Sequence, residues 1–299
     1  MKAIFTGIAL LLAAAGLGAG VVVPGAKLEK LAGDFKFTEG PTCDAHGNLF
    51  FTDQPNDRIL EWSADGKLST FLQPAGRANG MMFDARGNLI VCAEAKNELW
   101  SIAPDRIVTV LVTNFSRKIL NGPNDVWIAP TGGMYITDPF YKRRWSDTNA
   151  VRVTGENVYF LSADRKTCRC IATDFKKPNG ITGTPDGKKL FVADIRADKT
   201  WRFEILPDGS LTNKNLFCNK GSDGMTVDAE GNLYLCATGP TNGVSVFDPT
   251  GKLIDHIDVP ERWSANVSFG GADHRTLFIT ASESLYCIRL RVPGANPAK

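Results

Sequence analysis

The sequence predicts an all-β fold, a six-bladed β-propeller with a central channel. A motif of one polar residue, a short β-branched or aromatic strand and a turn occurs six times along the chain. In five copies the polar residue lies eight residues before the turn glycine, and the sixth copy is one residue longer and lacks that glycine. Repeats of roughly 40 to 50 residues with several strands each are typical of propeller blades. The polar residues that open the copies are Glu39, Asn79, Asn124, Asn179, Asp223 and Asn266.

The first element of the chain is a predicted signal peptide over residues 1–20. Lys2 supplies a positive charge, residues 4–15 form an apolar run that is short for a bilayer span, and small residues such as Ala15 and Ala19 offer cleavage sites. An uncleaved membrane anchor is the alternative. No later apolar stretch reaches about 18 residues. We therefore expect a secreted or periplasmic protein that makes no membrane contact after signal removal.

The propeller domain is predicted over residues 21–292, followed by a loose C-terminal tail over residues 293–299. Residues 27–31 form an edge strand that we expect beside the last blade, where it would close the ring. The remaining predicted strands cover residues 49–53, 58–62 and 68–72 in blade one, 99–102 and 107–112 in blade two, 125–129, 133–137, 157–161 and 167–172 in blade three, and 277–280 and 285–290 in blade six. Blade three also carries an insertion over residues 140–156, and such insertions often determine specificity.

Composition excludes two classes of function. The chain has 34 basic and 32 acidic residues, and its single basic cluster is Lys142-Arg143-Arg144, so nothing favours nucleic acid as a partner. Seven cysteines are present without a Cys-x-x-Cys or Cys/His ligand spacing, which argues against a zinc site of that kind. These features indicate no particular oligomeric state.

The opening residues of the six repeats are expected to lie around one mouth of the channel, because blades place equivalent positions around a common axis. They carry only carboxylate and amide oxygens, which suit a hard cation such as Ca²⁺ or Mg²⁺. Asp53, Asp138 and Asp194 end the partner strands and are expected at the same mouth. Carboxylates this close would raise one another's pKa unless a cation lies among them. The alternative is that these side chains only satisfy backbone groups in a water-filled channel.

Five short motifs resemble one known family when they are taken in order. They are Glu39-Gly40-Pro41, Asn121-Gly122-Pro123-Asn124-Asp125-Val126, Tyr135-Ile136-Thr137-Asp138-Pro139, Lys177-Pro178-Asn179-Gly180 and Ser222-Asp223-Gly224-Met225. Over nearly the whole mature chain, their order and spacing resemble the senescence-marker-protein/gluconolactonase/luciferin-regenerating-enzyme (SMP-30/LRE) family. The resemblance implies a six-bladed propeller with one catalytic divalent cation, Ca²⁺ or alternatively Mg²⁺, Zn²⁺ or Mn²⁺.

The resemblance also implies roles for individual residues. Glu39, Asn179 and Asp223 look like metal ligands, Asn124 would bind the metal or the substrate, and Asp125 would lie behind them. The implied reaction is the hydrolysis of a small sugar lactone to the aldonic acid, with Asp223 or Asp138 as the general base. The chain has no Gly-x-Ser-x-Gly nucleophile motif, and its three histidines offer no catalytic triad.

One departure from the family concerns the substrate. Animal members carry an arginine two residues before the asparagine of blade three, whereas this chain has Gly122. Arginines and aromatic residues bind hydroxyl-rich ligands well, so other residues of those types are candidates for the lost contact. The candidate substrate-binding residues are Arg77, Asn79, Asn124, Tyr141 and Arg143, with Arg144 and Trp145 beside them.

Two other functions remain open at this point. A phosphotriesterase of the same propeller type could use the same cation, since a metal polarises P=O as it does C=O. A non-enzymatic propeller could instead use its channel as a binding platform, with calcium as a structural clamp, because a fold does not fix a function.

Overall fold

The predicted six-bladed propeller is confirmed by the structure, a computed structural model that describes residues 20–237 and 242–295. Within these ranges, 24 strands form six antiparallel sheets of four strands each. Residues 1–19 of the predicted leader and residues 296–299 of the tail lie outside the described residues. No helix in the described ranges is long and apolar enough to cross a membrane.

The strands follow the chain from blade to blade, except for the first. The bounds are β1 (Glu29–Ala32); in blade one, β2 (Thr38–Cys43), β3 (Leu49–Asp53), β4 (Arg58–Trp62) and β5 (Leu68–Leu72); in blade two, β6 (Ala78–Phe83), β7 (Leu89–Ala93), β8 (Glu98–Ile102) and β9 (Val108–Val112); and in blade three, β10 (Val126–Ile128), β11 (Met134–Asp138), β12 (Asn157–Leu161) and β13 (Cys168–Ala172).

The second half of the ring repeats this arrangement. Blade four contains β14 (Pro178–Gly183), β15 (Lys189–Asp194), β16 (Lys199–Ile205) and β17 (Leu211–Cys218); blade five contains β18 (Met225–Val227), β19 (Leu233–Ala237), β20 (Gly243–Phe247) and β21 (Leu253–Ile257); and blade six contains β22 (Ser264–Gly270), β23 (Thr276–Ala281) and β24 (Ser284–Arg289). Two three-residue 3₁₀ helices, Gln54–Asn56 and Glu94–Lys96, follow the second strands of blades one and two.

Most predicted strand bounds agree with the structure. The strands predicted over 49–53, 58–62, 68–72 and 157–161 have the predicted ends, and the others shift by one or two residues. The cores lie between neighbouring blades, where alternate side chains of the strands interdigitate. One such cluster joins Ile90 and Cys92 of blade two to Met134 and Ile136 of blade three. All seven cysteines are free thiols.

The N-terminal strand closes the ring. Strand β1 pairs antiparallel with β24 as the outermost strand of blade six, with Glu29 opposite Cys287. This pairing confirms the predicted closure, because β1 supplies the fourth strand of the last blade.

The tail after blade six begins attached to the propeller rather than loose. The Gly294 amide donates to the His274 carbonyl at 2.8 Å, and the Ala295 amide donates to the Val227 carbonyl at 3.0 Å. The expectation of a loose tail was therefore wrong for its first residues, because they complete backbone hydrogen bonds of blades five and six.

Close contact between the inner strands fixes the axis of the propeller. The Gly80 amide donates to the Asn124 carbonyl at 2.7 Å, and the Gly224 amide donates to the Ala265 carbonyl at 2.6 Å. A Cβ atom on Gly80 would lie 2.2 Å from Asp125 Oδ1, so only glycine allows this approach. The residue before each of these glycines is thereby held at the channel mouth.

Candidate active site

The six residues that open the repeats lie at the start of the inner strands and are all buried. Glu39, Asn79, Asn179 and Asn266 are within β2, β6, β14 and β22, while Asn124 and Asp223 lie two residues before β10 and β18. Their side chains are at most 7% exposed, and we call this set of six the ring: Glu39, Asn79, Asn124, Asn179, Asp223 and Asn266.

Three members of the ring are brought together directly. Burial, followed by the negative charge of Asp223, raises the pKa of Glu39 well above its ordinary value. Burial also raises the pKa of Asp223 to about 6. Trp263 Nε1–H, which donates to Asp223 Oδ2 at 2.6 Å, and the nearby Asn179 amide both lower this pKa and so oppose the effect of burial. The structure thus joins Glu39, Asp223 and Asn179 in one cluster, as the repeat register predicts.

The donor chemistry of this cluster fits a hard cation. Neither Glu39 nor Asp223 forms an ion pair with a basic side chain in the described part of the chain; the nearby Arg143 acts on Asp223 only at longer range. Two buried carboxylates without a directly paired cation are costly. Bound calcium takes carboxylate and amide oxygens of this kind. Residues 20–237 and 242–295 contain no group of three or more His, Cys, Asp or Glu side chains suited to a metal. The candidate ligand set is therefore two carboxylates supplemented by amides.

Asn124 and Asn79 complete the neighbouring part of the ring. The backbone of Asn124 is fixed, because its amide donates to the Thr137 carbonyl at 2.9 Å and its carbonyl accepts from Gly80. Asn79 lies close enough to Glu94, a buried carboxylate directly after β7, for its amide to lower the pKa of that carboxyl. The Asn124 backbone is thus held at the mouth, and Asn79 lies beside Glu94.

Part of the blade-three insertion lies beside this mouth. The Tyr141 hydroxyl accepts a hydrogen bond from Asn179 Nδ2 at 2.9 Å. The Arg143 guanidinium lies 4.8 Å from the centre of the Tyr141 ring, and Lys177 Nζ lies 4.6 Å from it. Burial raises the pKa of Tyr141 above its usual range, so the phenol stays protonated. Tyr141 and Arg143 are therefore placed beside the carboxylates.

Arg77, a predicted substrate-binding residue, contacts the insertion and a 3₁₀ helix instead. Its guanidinium lies 4.3 Å from the centre of the Trp145 ring and donates to the backbone carbonyls of Gln54 and Pro55. Arg77 is a support for the insertion through Trp145 rather than a residue of the ring.

The three aspartates expected at the mouth bind backbone instead of joining the ring. Asp138 Oδ2 accepts from the Asn121 amide at 2.9 Å and Oδ1 from the Gly122 amide at 2.8 Å. Asp194 accepts from the amides of Lys176 and Lys177 in the same way, and Asp53 from that of Lys36. Burial raises the pKa of Asp138 to about 7. Asp138 thus holds the segment before Asn124, whereas the sequence analysis expected its carboxylate at the mouth from strand direction and offered it as a general base.

Glu94 is a site residue that the sequence analysis missed. Its carboxylate accepts from Arg143 Nε at 3.1 Å and from Gln54 Nε2 at 2.6 Å. A Cβ atom on Gly122 would lie 3.1 Å from Glu94 Cγ, so Glu94 occupies the space beside that glycine. A signal was present in the repeat, since blade two has Ala93 where blades one, three and four end the second strand with aspartate. The carboxylate follows one residue later.

Asp125 lies behind the ring, as the family resemblance implies. Its Oδ1 accepts from its neighbour's amide, Val126 N, at 2.9 Å, and its Oδ2 accepts from Ile181 N at 3.3 Å. Burial raises its pKa to about 7, and the nearby Asn266 amide opposes this rise. Asp125 therefore ties the inner strands of blades three and four together beneath the cluster.

Comparison with known proteins identifies relatives over most of the chain. A model of the SMP-30/Gluconolactonase/LRE-like region matches residues 37–283. A gluconolactonase of Zymomonas mobilis is 30% identical over 297 aligned residues, which cover 89% of this chain and 82% of the relative.

Solved structures show the same fold. A gluconolactonase from Xanthomonas campestris superposes with a TM-score of 0.82 at 27% identity, covering 90% of this chain and 91% of that one. The calcium-binding protein regucalcin from Agrobacterium tumefaciens superposes with a TM-score of 0.75 at 20% identity, covering 92% and 95%. The second likeness is one of fold alone.

The raised pKa of Asp223 predicts that the metal-free protein gains stability as the pH falls from about 6 to about 4, and the raised pKa of Glu39 acts in the same direction. A carboxyl group with a higher pKa in the folded than in the unfolded state takes up a proton on folding, so its favourable contribution is lost as the pH rises from the unfolded to the folded value. For Asp223, the difference between 3.8 and about 6 corresponds to at most about 3 kcal/mol. Thermal unfolding in the presence of a chelator at several pH values measures the effect.

The matched variants separate the ring from other buried carboxyls. Asp125 and Asp138 contribute a slope of the same sign, so the Glu39→Gln/Asp223→Asn double variant should flatten the pH dependence only in part. Asp105→Asn, which alters an exposed turn, should leave it unchanged. Equal slopes in all three proteins would contradict the placement of Glu39 and Asp223.

Proposed function

The chain belongs to the SMP-30/Gluconolactonase/LRE-like family, and on that premise we propose that it hydrolyses a sugar lactone to the aldonic acid with one divalent cation. The observation that carries the proposal is the pair of buried carboxylates, Glu39 and Asp223, which has no directly paired basic side chain within residues 20–237 and 242–295. Similarity to a gluconolactonase supports the choice of a lactone as the substrate.

The residues that would hold the cation are Glu39, Asn179 and Asp223, with Asn124 as a fourth ligand or a substrate contact. We propose Ca²⁺, because carboxylate and amide oxygens in a site without Cys or His suit a hard ion. When bound, such an ion polarises the lactone carbonyl and stabilises the negative charge that develops on its oxygen.

Asp223 is the proposed general base. Trp263 Nε1–H donates to its Oδ2 at 2.6 Å and so fixes the carboxylate, while Oδ1 remains to take a proton from the attacking water. Asp138 is less suited, because both of its oxygens already accept backbone N–H groups.

Arg143 and Tyr141 would bind the oxygen atoms of the substrate at the same mouth. Glu94 holds the Arg143 guanidinium at 3.1 Å, and the Tyr141 ring lies under it. A fixed guanidinium donates to hydroxyl and carbonyl oxygens with defined geometry. This pair would replace the contact made by the arginine that animal members of the family carry where this chain has Gly122.

We also propose that the protein is exported, on the basis of Lys2 and the apolar run over residues 4–15. Expression of the full chain in a bacterial host should give a periplasmic or secreted protein whose N-terminus begins near residue 20. A full-length N-terminus on protein recovered from the membrane would favour the anchor instead.

Substitution of the ring carboxylates should remove metal binding and lactonase activity together. Asp223→Asn should lower the rate on gluconolactone by about 10² to 10⁴, because it removes both the proton acceptor and one negative ligand. Glu39→Gln should weaken Ca²⁺ binding in a calorimetric titration and lower activity in parallel. Asp105→Asn serves as the control for loss of a carboxylate outside the ring.

Two results would overturn this proposal. Full lactonase activity after exhaustive removal of metal would exclude the cation from the reaction. A fluorophosphate hydrolysed much faster than any aldonolactone would favour the phosphotriesterase instead.

Arg143→Gln should raise the KM for an aldonolactone about tenfold with a smaller effect on kcat, since the lost contact serves the bound substrate throughout the reaction. Arg144→Gln is the matched control, because Arg144 is the exposed neighbour in the same insertion. Steady-state kinetics of both variants measures the split, and equal effects of the two would refute a specific role for Arg143.

A further inference from the structure

A cavity lies at the end of the channel opposite the ring mouth. Its volume is about 590 Å³, within the range of small-molecule sites, and Asp125 and Asn266 line it on the side of the ring. Exposed turn residues that connect first and second strands, such as His46 and Ala85, also line it and mark the opposite mouth. The lower cavity, as we call it, is therefore separated from the carboxylates Glu39 and Asp223.

Four consecutive blades present hydroxyl groups to the lower cavity from one register position. The inner-strand residue at this position lies opposite an aromatic residue of the second strand in each of these blades. The pairs are Thr182 with Phe191, Thr226 with Tyr234, Ser268 with Phe278 and Thr42 with Phe50, in blades four, five, six and one. The lower cavity thus has a continuous arc of hydroxyl groups on one side.

The same position in the other two blades is apolar. Met82 occupies it in blade two and Trp127 in blade three. Both side chains line the lower cavity. This register position therefore carries a hydroxyl group in four blades and an apolar side chain in two, one of which contributes an indole.

The hydroxyl side offers groups that the protein does not use itself. Thr42 is 7% exposed and Thr182 is 6% exposed. Within residues 20–237 and 242–295, neither threonine hydroxyl forms a hydrogen bond to protein. Neither hydroxyl oxygen is among the described buried polar atoms that lack a partner, so both are open to the cavity. Each lines the cavity and can bind a molecule inside it.

The charge of the lining selects against anions. Among the described residues that line the lower cavity there is no lysine or arginine, and His46 and His274 line it together with Asp44, Asp84 and Asp125. Asp84 is paired with Arg165 at 3.1 Å behind the wall. Asp125 accepts backbone and amide hydrogen bonds and is not paired with a basic side chain. An aldonate would therefore be repelled, and a neutral molecule would not.

We propose that the lower cavity is a binding site for a neutral cyclic polyol such as a pyranose sugar. The ring hydroxyls would exchange hydrogen bonds with Thr42, Thr182 and Thr226, and the C–H face would pack against the Trp127 indole. This site shares Asn266 with the ring but neither Glu39 nor Asp223, and it does not depend on the proposed lactonase activity.

The test uses D-glucose as the probe and the full-length protein kept metal-free with a chelator. Saturation-transfer NMR and a titration should show glucose binding to the wild type. The Thr182→Val/Thr226→Val double variant should weaken it about tenfold, because two hydrogen bonds are lost at constant shape. D-gluconate should give the same saturation-transfer signal with the wild type and with the double variant, because it should not bind in the lower cavity.

Three controls keep the result interpretable. Thr109→Val removes a hydroxyl from an exposed strand and should leave binding unchanged. Glu39→Gln alters the ring and should also leave it unchanged, which separates the lower cavity from the lactonase site. Thermal unfolding should show that the double variant is folded, since its lost hydroxyls have no protein partner. No glucose binding to wild type, or equal binding by wild type and the double variant, would overturn the proposal.

Discussion

The structure depends on the contact between the first residues of neighbouring inner strands. Glycines such as Gly80 and Gly224 let these backbones approach to hydrogen-bonding distance, and the side chains just before them are forced into one small volume. Because Glu39 and Asp223 are both in that volume, the fold places two negative charges where water is scarce. The free energy of burying them is unfavourable unless a positive ion or protons compensate. Backbone packing thus creates the need for a cation or for protons at the channel mouth.

The repeat made the ring predictable, and it did so for a physical reason. Equivalent positions in blades lie around one axis, so a count of residues between Glu39 and its turn glycine, applied to each copy, locates the converging side chains. Strand bounds in blade one followed from alternation and turn residues, with β3, β4 and β5 at their predicted ends. Closure by β1 followed from the need to cover the last sheet.

The parts that could not be predicted depend on side-chain direction in loops. Asp138 ends its strand at the predicted end, yet its carboxylate turns to the Asn121 and Gly122 amides. Arg77 has a left-handed backbone and reaches the carbonyls of a 3₁₀ helix rather than the ring. Glu94 acts through Arg143, which comes from an insertion 49 residues away in the sequence. No periodicity fixes such contacts, because they join segments outside the repeat.

The proposed cation site follows from the burial of Glu39 and Asp223, and calorimetric titration of Ca²⁺ into the metal-free protein at about pH 6 tests it most directly. Titration in two buffers of different ionisation enthalpy also counts the protons exchanged. One ion per chain should bind with release of protons, because the ion lowers pKa values that burial has raised, and Glu39→Gln should reduce both. Absence of Ca²⁺ binding would contradict the proposed cation site. So would Ca²⁺ binding that releases no protons and has the same affinity in Glu39→Gln as in the wild type.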